Sequence, residues 1–216
     1  MKILLATAEL DEQRWAANAG LVDGLAPPPT MLDARAREEL ADLARRSGLP
    51  VHVTVAALNA ADIYRDGREL AKLGDGIVLH IPLIEEGILA ARRLTAEGVR
   101  VVASLVVTAA QAVLAAKAGA TGVSIPVDQL ATFGHVGPDV VLTVRDAFAA
   151  NGTECDIYAT HPRTATEFSS CAAAGADGAV LTPGALRELL VHPLTDRGVD
   201  DLLRRLVSQS KARPLQ

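Results

Sequence analysis

Aromatic side chains are scarce, with Phe, Trp and Tyr making up 3% of 216 residues. Platforms on which bases or sugars could stack are nearly absent. A basic excess is missing too. The 21 Lys and Arg face 26 Asp and Glu, for a formal net charge of -5. Nothing stands ready to neutralise a phosphate backbone, which argues against nucleic acid as a partner. Cysteine occurs only as Cys155 and Cys171. In a chain of this length two thiols make no disulfide framework and read as reduced, which points to the cytoplasm. No apolar run approaches the roughly 20 residues of a membrane span. The apolar start over residues 3–6 soon meets Glu9, Asp11 and Glu12, unlike a signal peptide. Lysine is confined to positions 2, 72, 117 and 211, so chemistry that needs a lysine has four candidates. No glycine-rich nucleotide motif is present.

What remains is rich in apolar residues, 50% of the chain, enough for a full core in one large domain. Short apolar runs rich in Val and Ile recur at 2–6, 21–25, 51–56, 76–82, 100–107, 121–125, 155–159 and 178–181. Between them lie helical stretches. Residues 33–46 are rich in Ala, Leu, Arg and Glu and stop at Ser47-Gly48. Residues 59–73, 84–96 and 109–118 each run up to a glycine in the same way. Residues 138–150 open with Pro138, suited to a first helical turn. Strands alternating with helices at this spacing predict βα units and a parallel sheet. Eight runs point to a closed (β/α)8 barrel rather than an open doubly wound sheet. Residues 1–198 then form a single-domain barrel, and 199–216 a C-terminal helix and tail. That helix carries Leu202, Leu203, Leu206 and Val207 on one side, a stripe that needs a partner.

In such a barrel the active site lies where the strands end. The positions to inspect are 6–9, 26–30, Thr54, His80, Ser104, 124–129, 161–163 and Thr182. Those positions carry a resemblance. Residues 20–30 (GLVDGLAPPPT) are similar to the GLVDG-TTNPT segment of the small transaldolase and fructose-6-phosphate aldolase family. Residues 68–73 and 76–87 (RELAKL and GIVLHIPLIEEG) resemble its RELAK and NIVVKIPMTEEG blocks. Residues 109–121 (AAQAVLAAKAGAT) and 192–198 (HPLTDRG) match it almost letter for letter. The resemblance spans nearly the whole chain. It implies a compact (β/α)8 barrel and assembly into pentameric rings or decamers through the C-terminal helix.

The family's chemistry uses a lysine on the fourth strand that forms a Schiff base with a ketose. The matching position here is His80, and an imidazole cannot form that iminium. The first-strand aspartate of the family is Ala6. The Thr and Asn of its TTNP loop are Ala26 and Pro28. Its third-strand carboxamide or carboxylate is Thr54, and its fifth-strand threonine is Ser104. The basic residue gripping phosphate after the sixth strand is Gln129. The phosphate-binding serine after the seventh is His161, with Arg163 nearby where a basic residue is common. The resemblance thus implies a site at His80, His161, Ser104 and Thr54, with Ala6, Pro28, Gln129 and Arg163 around the substrate. No cofactor and no metal are expected. Ala6, Ala26, the prolines at 27–29, Val102, Val107 and Pro126 make the pocket less polar than a sugar phosphate requires.

Strand parity predicts that His52 points inward one layer below Thr54, that His80 shares a face with Val78, and that His161 shares one with Ala159. Three inward histidines permit acid–base chemistry, since imidazole titrates near neutrality. They also permit a metal site, although no His-x-His spacing supports it, or hydrogen-bonded filler in a disused pocket. The functional expectation is a diverged enzyme acting on an aldol-type or enolisable carbonyl substrate by histidine acid–base catalysis. The alternative is an inactive homologue that binds a small molecule or serves in assembly. An ordinary transaldolase or fructose-6-phosphate aldolase is a third reading. Expected partners are a small molecule other than a sugar phosphate and further copies of the chain, with no membrane.

Overall fold

The computed structural model describes residues 1–29 and 34–211. Thr30 of the second rim segment, Asp33 at the expected helix start and the tail past 211 lie outside the described residues. Eight parallel strands follow one another around a closed barrel. They are β1 (Lys2–Leu5), β2 (Gly24–Leu25), β3 (Val51–Thr54), β4 (Ile77–Pro82), β5 (Val101–Ser104), β6 (Gly122–Pro126), β7 (Asp156–Thr160) and β8 (Gly178–Leu181). The helices are α1 (Leu10–Asn18), α2 (Ala34–Ser47), α3 (Ala60–Ala71), α4 (Glu85–Ala96), α5 (Ala109–Lys117), α6 (Val127–Thr132), α7 (Gly137–Ala150), α8 (Ala165–Ala173), α9 (Pro183–Glu188) and α10 (Pro193–Lys211). The predicted (β/α)8 barrel with an extra C-terminal helix is therefore the fold.

Several helix starts are fixed by side chains that satisfy free backbone N–H groups. The Asn59 side chain accepts from the Asp62 amide at 2.9 Å. Thr108 and Gln111 form a reciprocal capping box ahead of α5. The hydroxyls of Thr164 and Thr182 accept from the Glu167 and Ala185 amides at 3.0 and 3.2 Å and so cap α8 and α9. These caps all sit at the C-terminal ends of the strands and hold the rim loops in place.

Alternation along the strands divides the apolar residues into two sets. Leu5, Leu25, Val53, Leu79 and Ile81 face the helices on one side of the barrel. Ala103, Val123, Ile125, Ile157 and Ala159 do so on the other. A smaller cluster fills the barrel itself: Leu4, Val78, Val102, Tyr158 and Val180, with Ala6 and Ala26 packed against it. The bulk of Tyr158 is accommodated by its neighbours on adjacent strands. A Cβ on Gly178 would lie 2.7 Å from the tyrosine ring, and one on Gly122 would lie 3.0 Å from it. At the N-terminal end of the barrel Asp156 Oδ2 accepts from the Tyr158 hydroxyl at 2.9 Å and pairs with Lys2 at 2.8 Å.

The terminal helix begins at Pro193, earlier than the stretch the sequence suggested. Pro193 occupies its first position, and the amides of Thr195 and Asp196 both bond to the His192 carbonyl. Every described side chain from 190 to 208 is exposed. Val199, Leu202, Leu203 and Leu206 are among them. No helix among the described residues is long and apolar enough to cross a membrane.

Candidate functional site

The inner cluster defines which residues share the barrel interior. In parallel strands paired residues point the same way, and residues two apart share a face. His52 pairs with Val78 and Thr54 with His80. His80 pairs in turn with Val102, so Ser104 lies on the inner line of β5. On β7 the inner line is Tyr158 and Thr160; Ser124 pairs with Tyr158. The interior therefore holds His52, Thr54, His80, Ser104, Ser124, Tyr158 and Thr160, with alanine at Ala6 on the first strand's continuation.

Two of these are brought into direct contact. His52 Nδ1 and His80 Nε2 lie 2.9 Å apart, with ring centroids 5.1 Å apart and planes inclined at 62°. His52 is 5% exposed and His80 8%. Beneath them, Tyr158 meets His52 edge to face at 5.6 Å. Burial pushes both imidazoles well below the usual 6.5, and for His52 the charges of His80, Arg100 and Lys2 add to it. The pair is neutral at pH 7. Tyr158 is driven the other way, upward, first by burial and then by its bond to Asp156. Its phenol is a fixed donor, not a base.

Thr54 and Ser104 are half-buried on the strands flanking His80. Neither hydroxyl bonds to His80 among the described residues, so both remain available to a ligand. Sequence parity placed His52 and His80 correctly and missed their contact. It also missed Tyr158, although Asp156 and Tyr158 at i, i+2 on one strand face were a readable sign of a buried polar pair.

His161 departs from expectation. It does not face the interior, because Ala159, whose face it was to share, packs against the helices. The strand ends at Thr160, and His161 adopts a left-handed φ of 56° while its amide bonds to the Val180 carbonyl at 2.9 Å. Its side chain is exposed at the rim. There it lines a depression of roughly 340 Å³ with Asp128, Arg163, Thr182 and Glu188. Arg163 donates to the Asp128 carbonyl at 3.2 Å, which ties the loops after β6 and β7 together. Gln129 is exposed on α6 beside this depression. Leu105, directly after Ser104, has a φ of 63°. Left-handed backbone at non-glycine residues costs on the order of 1–2 kcal/mol and is concentrated at functional loops.

Pro28 is placed elsewhere. With Pro27, Ala8, Leu10, Gln13 and Leu40 it lines a groove of roughly 330 Å³ between α1 and α2. Lysine is absent from the inner line at the strand ends. Lys2 opens β1 and pairs with Asp156, Lys72 caps the C-terminus of α3 and pairs with Glu69, and Lys117 ends α5. Cys155 and Cys171 are buried in the outer core, and burial pushes their thiols up to about 12 and about 11. They are inert as nucleophiles. Among the described residues no cluster of three or more His, Cys, Asp or Glu could hold a metal ion.

A parallel (β/α)8 barrel whose interior polar groups converge toward the C-terminal strand ends has the architecture of barrel enzymes. The Transaldolase/Fructose-6-phosphate aldolase family model matches residues 30–214, and the chain belongs to that family. Curated relatives extend across almost the full length. A probable transaldolase of Maricaulis maris is 36% identical over 206 residues, covering 93% of this chain and 94% of the relative. Probable transaldolases of Hyphomonas neptunium and Clostridium perfringens are 34% and 33% identical, covering 94% and 92% of this chain and 95% and 94% of the relatives. Among solved structures, a cube-shaped, highly porous protein cage designed by fusing symmetric oligomeric domains superposes with a TM-score of 0.63 at 16% identity. It covers 97% of this chain and 77% of that one, a likeness of fold alone.

Proposed function

We propose that this protein is a diverged member of its family that acts on an aldol-type or enolisable carbonyl substrate by histidine acid–base chemistry. No lysine Schiff base is involved. The observation that carries the reading is His80: a neutral imidazole on the inner line of β4, in a barrel whose strand ends offer no lysine among the described residues. Neutral His80 takes a proton from the substrate, either from the carbon beside the carbonyl or from the hydroxyl of an aldol. Electrons pass to the carbonyl oxygen, which Ser104 or Thr54 steadies by donating a hydrogen bond. In the aldol case the C–C bond breaks, and the imidazolium returns its proton to the enolate carbon. His161 and Arg163 serve as ligands at the rim, and Gln129 borders them.

The apolar lining around Ala6 and Ala26, and glutamine in place of a basic residue at 129, favour a substrate without phosphate. The relatives are named probable transaldolases, and that activity is the reading most directly opposed to ours. A deuterium-exchange assay tests the proposal. Unphosphorylated hydroxyketones and aldols in D2O should gain deuterium beside the carbonyl, or be cleaved, in the presence of the enzyme. No exchange and no cleavage across such a panel would contradict it.

A second reading draws on α10. Its exposed apolar stripe favours self-assembly, consistent with the rings of five or ten that the family resemblance implies. If the pocket turns over no substrate, a role as an assembling or small-molecule-binding homologue takes precedence.

A further inference from the structure

We propose that His52 is a positioning residue that fixes the proton of His80 on Nε2 and leaves His80 Nδ1 as a bare acceptor. This rests on the acid–base reading of His80 given above and adds to it the identity of the reactive nitrogen.

The contact joins His52 Nδ1 to His80 Nε2 at 2.9 Å. A hydrogen bond of that length between two imidazoles holds one proton. Both rings are buried and neutral, so two arrangements are possible. If His52 donates, both rings must carry their proton on Nδ1. If His80 donates, both carry it on Nε2, which is the ordinarily preferred tautomer of neutral imidazole. The second arrangement gives both rings that preferred tautomer at once.

The surroundings do not compete for that proton. Tyr158 touches His52 through its ring, and its hydroxyl is committed to Asp156. Val78 and Val102 on β4 and β5 are apolar, and Thr54 on β3 makes no bond to either imidazole. Lys2 and Arg100 are the cations felt by His52; Lys2 is paired with Asp156, and Arg100 donates to the Asp75 carbonyl at 2.7 Å. Both cations oppose a second proton on the pair. His80 Nδ1 has no partner among the described residues. His52, Val78 and Tyr158 fill the barrel below His80, so its remaining exposure opens toward the mouth.

A bare nitrogen at the floor of the mouth accepts a hydrogen bond and repels an anion. The substrate group placed against it is therefore a donor, either a hydroxyl or the acidic C–H beside a carbonyl, rather than a carboxylate or phosphate. It also makes His80 a base in the resting protein, able to act as an acid only after it has taken the substrate's proton.

Long-range ¹H–¹⁵N correlation on the uniformly labelled full chain at pH 7.5 reads the tautomers directly. The expected result is a pyrrole-type Nε2 and a pyridine-type Nδ1 on His80, with a pyridine-type Nδ1 on His52. The reverse pattern, or averaged shifts on both nitrogens of His80, overturns the proposal. His52→Asn sets a carbonyl near the place of Nδ1 and should preserve the His80 pattern. His52→Leu removes the acceptor and should convert His80 to a mixture of tautomers. An unchanged His80 in a folded His52→Leu variant also overturns it. If His52→Leu fails to fold, the wild-type and His52→Asn spectra decide the matter. None of these readings needs turnover. The expected tautomers without substrate exchange would sink the catalytic reading alone, and exchange dependent on His80 with reversed tautomers would sink this one alone.

Discussion

His52 Nδ1 and His80 Nε2 face each other at 2.9 Å inside the barrel, each ring nearly withdrawn from water. This contact turns two histidines on neighbouring strands into one buried unit, with consequences for stability and, under the proposed function, for catalysis.

The first consequence is acid sensitivity. Burial depresses the folded-state pKa of both imidazoles, to about 3 for His52 and about 4 for His80, from 6.5. Between pH 6.5 and about 4 the unfolded chain binds more protons than the folded one, so stability rises with pH through this window and falls as pH drops. Each imidazole contributes a slope of up to about 1.4 kcal/mol per pH unit. Urea unfolding at pH 7, 6 and 5 should show this slope. Replacing both histidines should flatten it, and an equal slope in that double variant would show that other groups are responsible.

Catalysis should follow the same titration. A base already neutral at pH 6 has no acid limb in the ordinary histidine range. We expect kcat/KM for any substrate found to be level from pH 8 to pH 6, with its decline beginning lower. An inflection near 6.5 would contradict the assignment of buried His80 as the base.

The lysines give a third test. Borohydride added with dihydroxyacetone or fructose 6-phosphate should leave the intact mass unchanged, since no described lysine side chain lies on the strand ends. An adduct on Lys2, Lys72 or Lys117 would refute the absence of a Schiff base. His80→Lys alone should not give aldolase activity, because Ala6 and Gln129 still lack proton-handling and phosphate-holding groups.

Packing around Tyr158 makes a further expectation concrete. The Cβ of Gly178→Ala would sit 2.7 Å from the ring, forcing strand or ring to shift. A loss of about 1–3 kcal/mol in urea unfolding is expected. A neutral result would mean that the ring moves freely, and the floor beneath His52 would not be rigid.

For α10, truncation after His192 should reduce the assembled mass in sedimentation while leaving the barrel's circular dichroism intact. Exposed Leu202, Leu203 and Leu206 are what a neighbouring copy would cover. A wild-type chain that sediments as a monomer at micromolar concentration would remove the assembly reading.

The barrel was legible in the sequence because most βα units carry local marks: a short apolar run, a glycine past the helix end, and in four of them a capping Asn59, Thr108, Thr164 or Thr182. Parity within strands located His52 and His80 for the same local reason. Their bond was not legible, since it depends on the register of β3 against β4 and on the curvature that tips the two rings together. His161 was misplaced because the phase of β7 was read one residue off: Tyr158 and Thr160 form its inner line, and Ala159 packs against the helices. At His161 the backbone turns to a positive φ, and the side chain leaves for the rim. Pro28 was assigned to the substrate pocket by matching positions in a motif, whereas the chain after β2 carries it to the groove between α1 and α2.

The most direct test of the account compares wild type with His80→Ala in D2O, using the hydroxyketone or aldol that exchanges or is cleaved most rapidly. Circular dichroism confirms that the variant is folded. Loss of at least about 100-fold in rate is expected, the scale of a general base, while His161→Ala should mainly raise KM. A folded His80→Ala variant with the wild-type rate would contradict the central claim that His80 is the base.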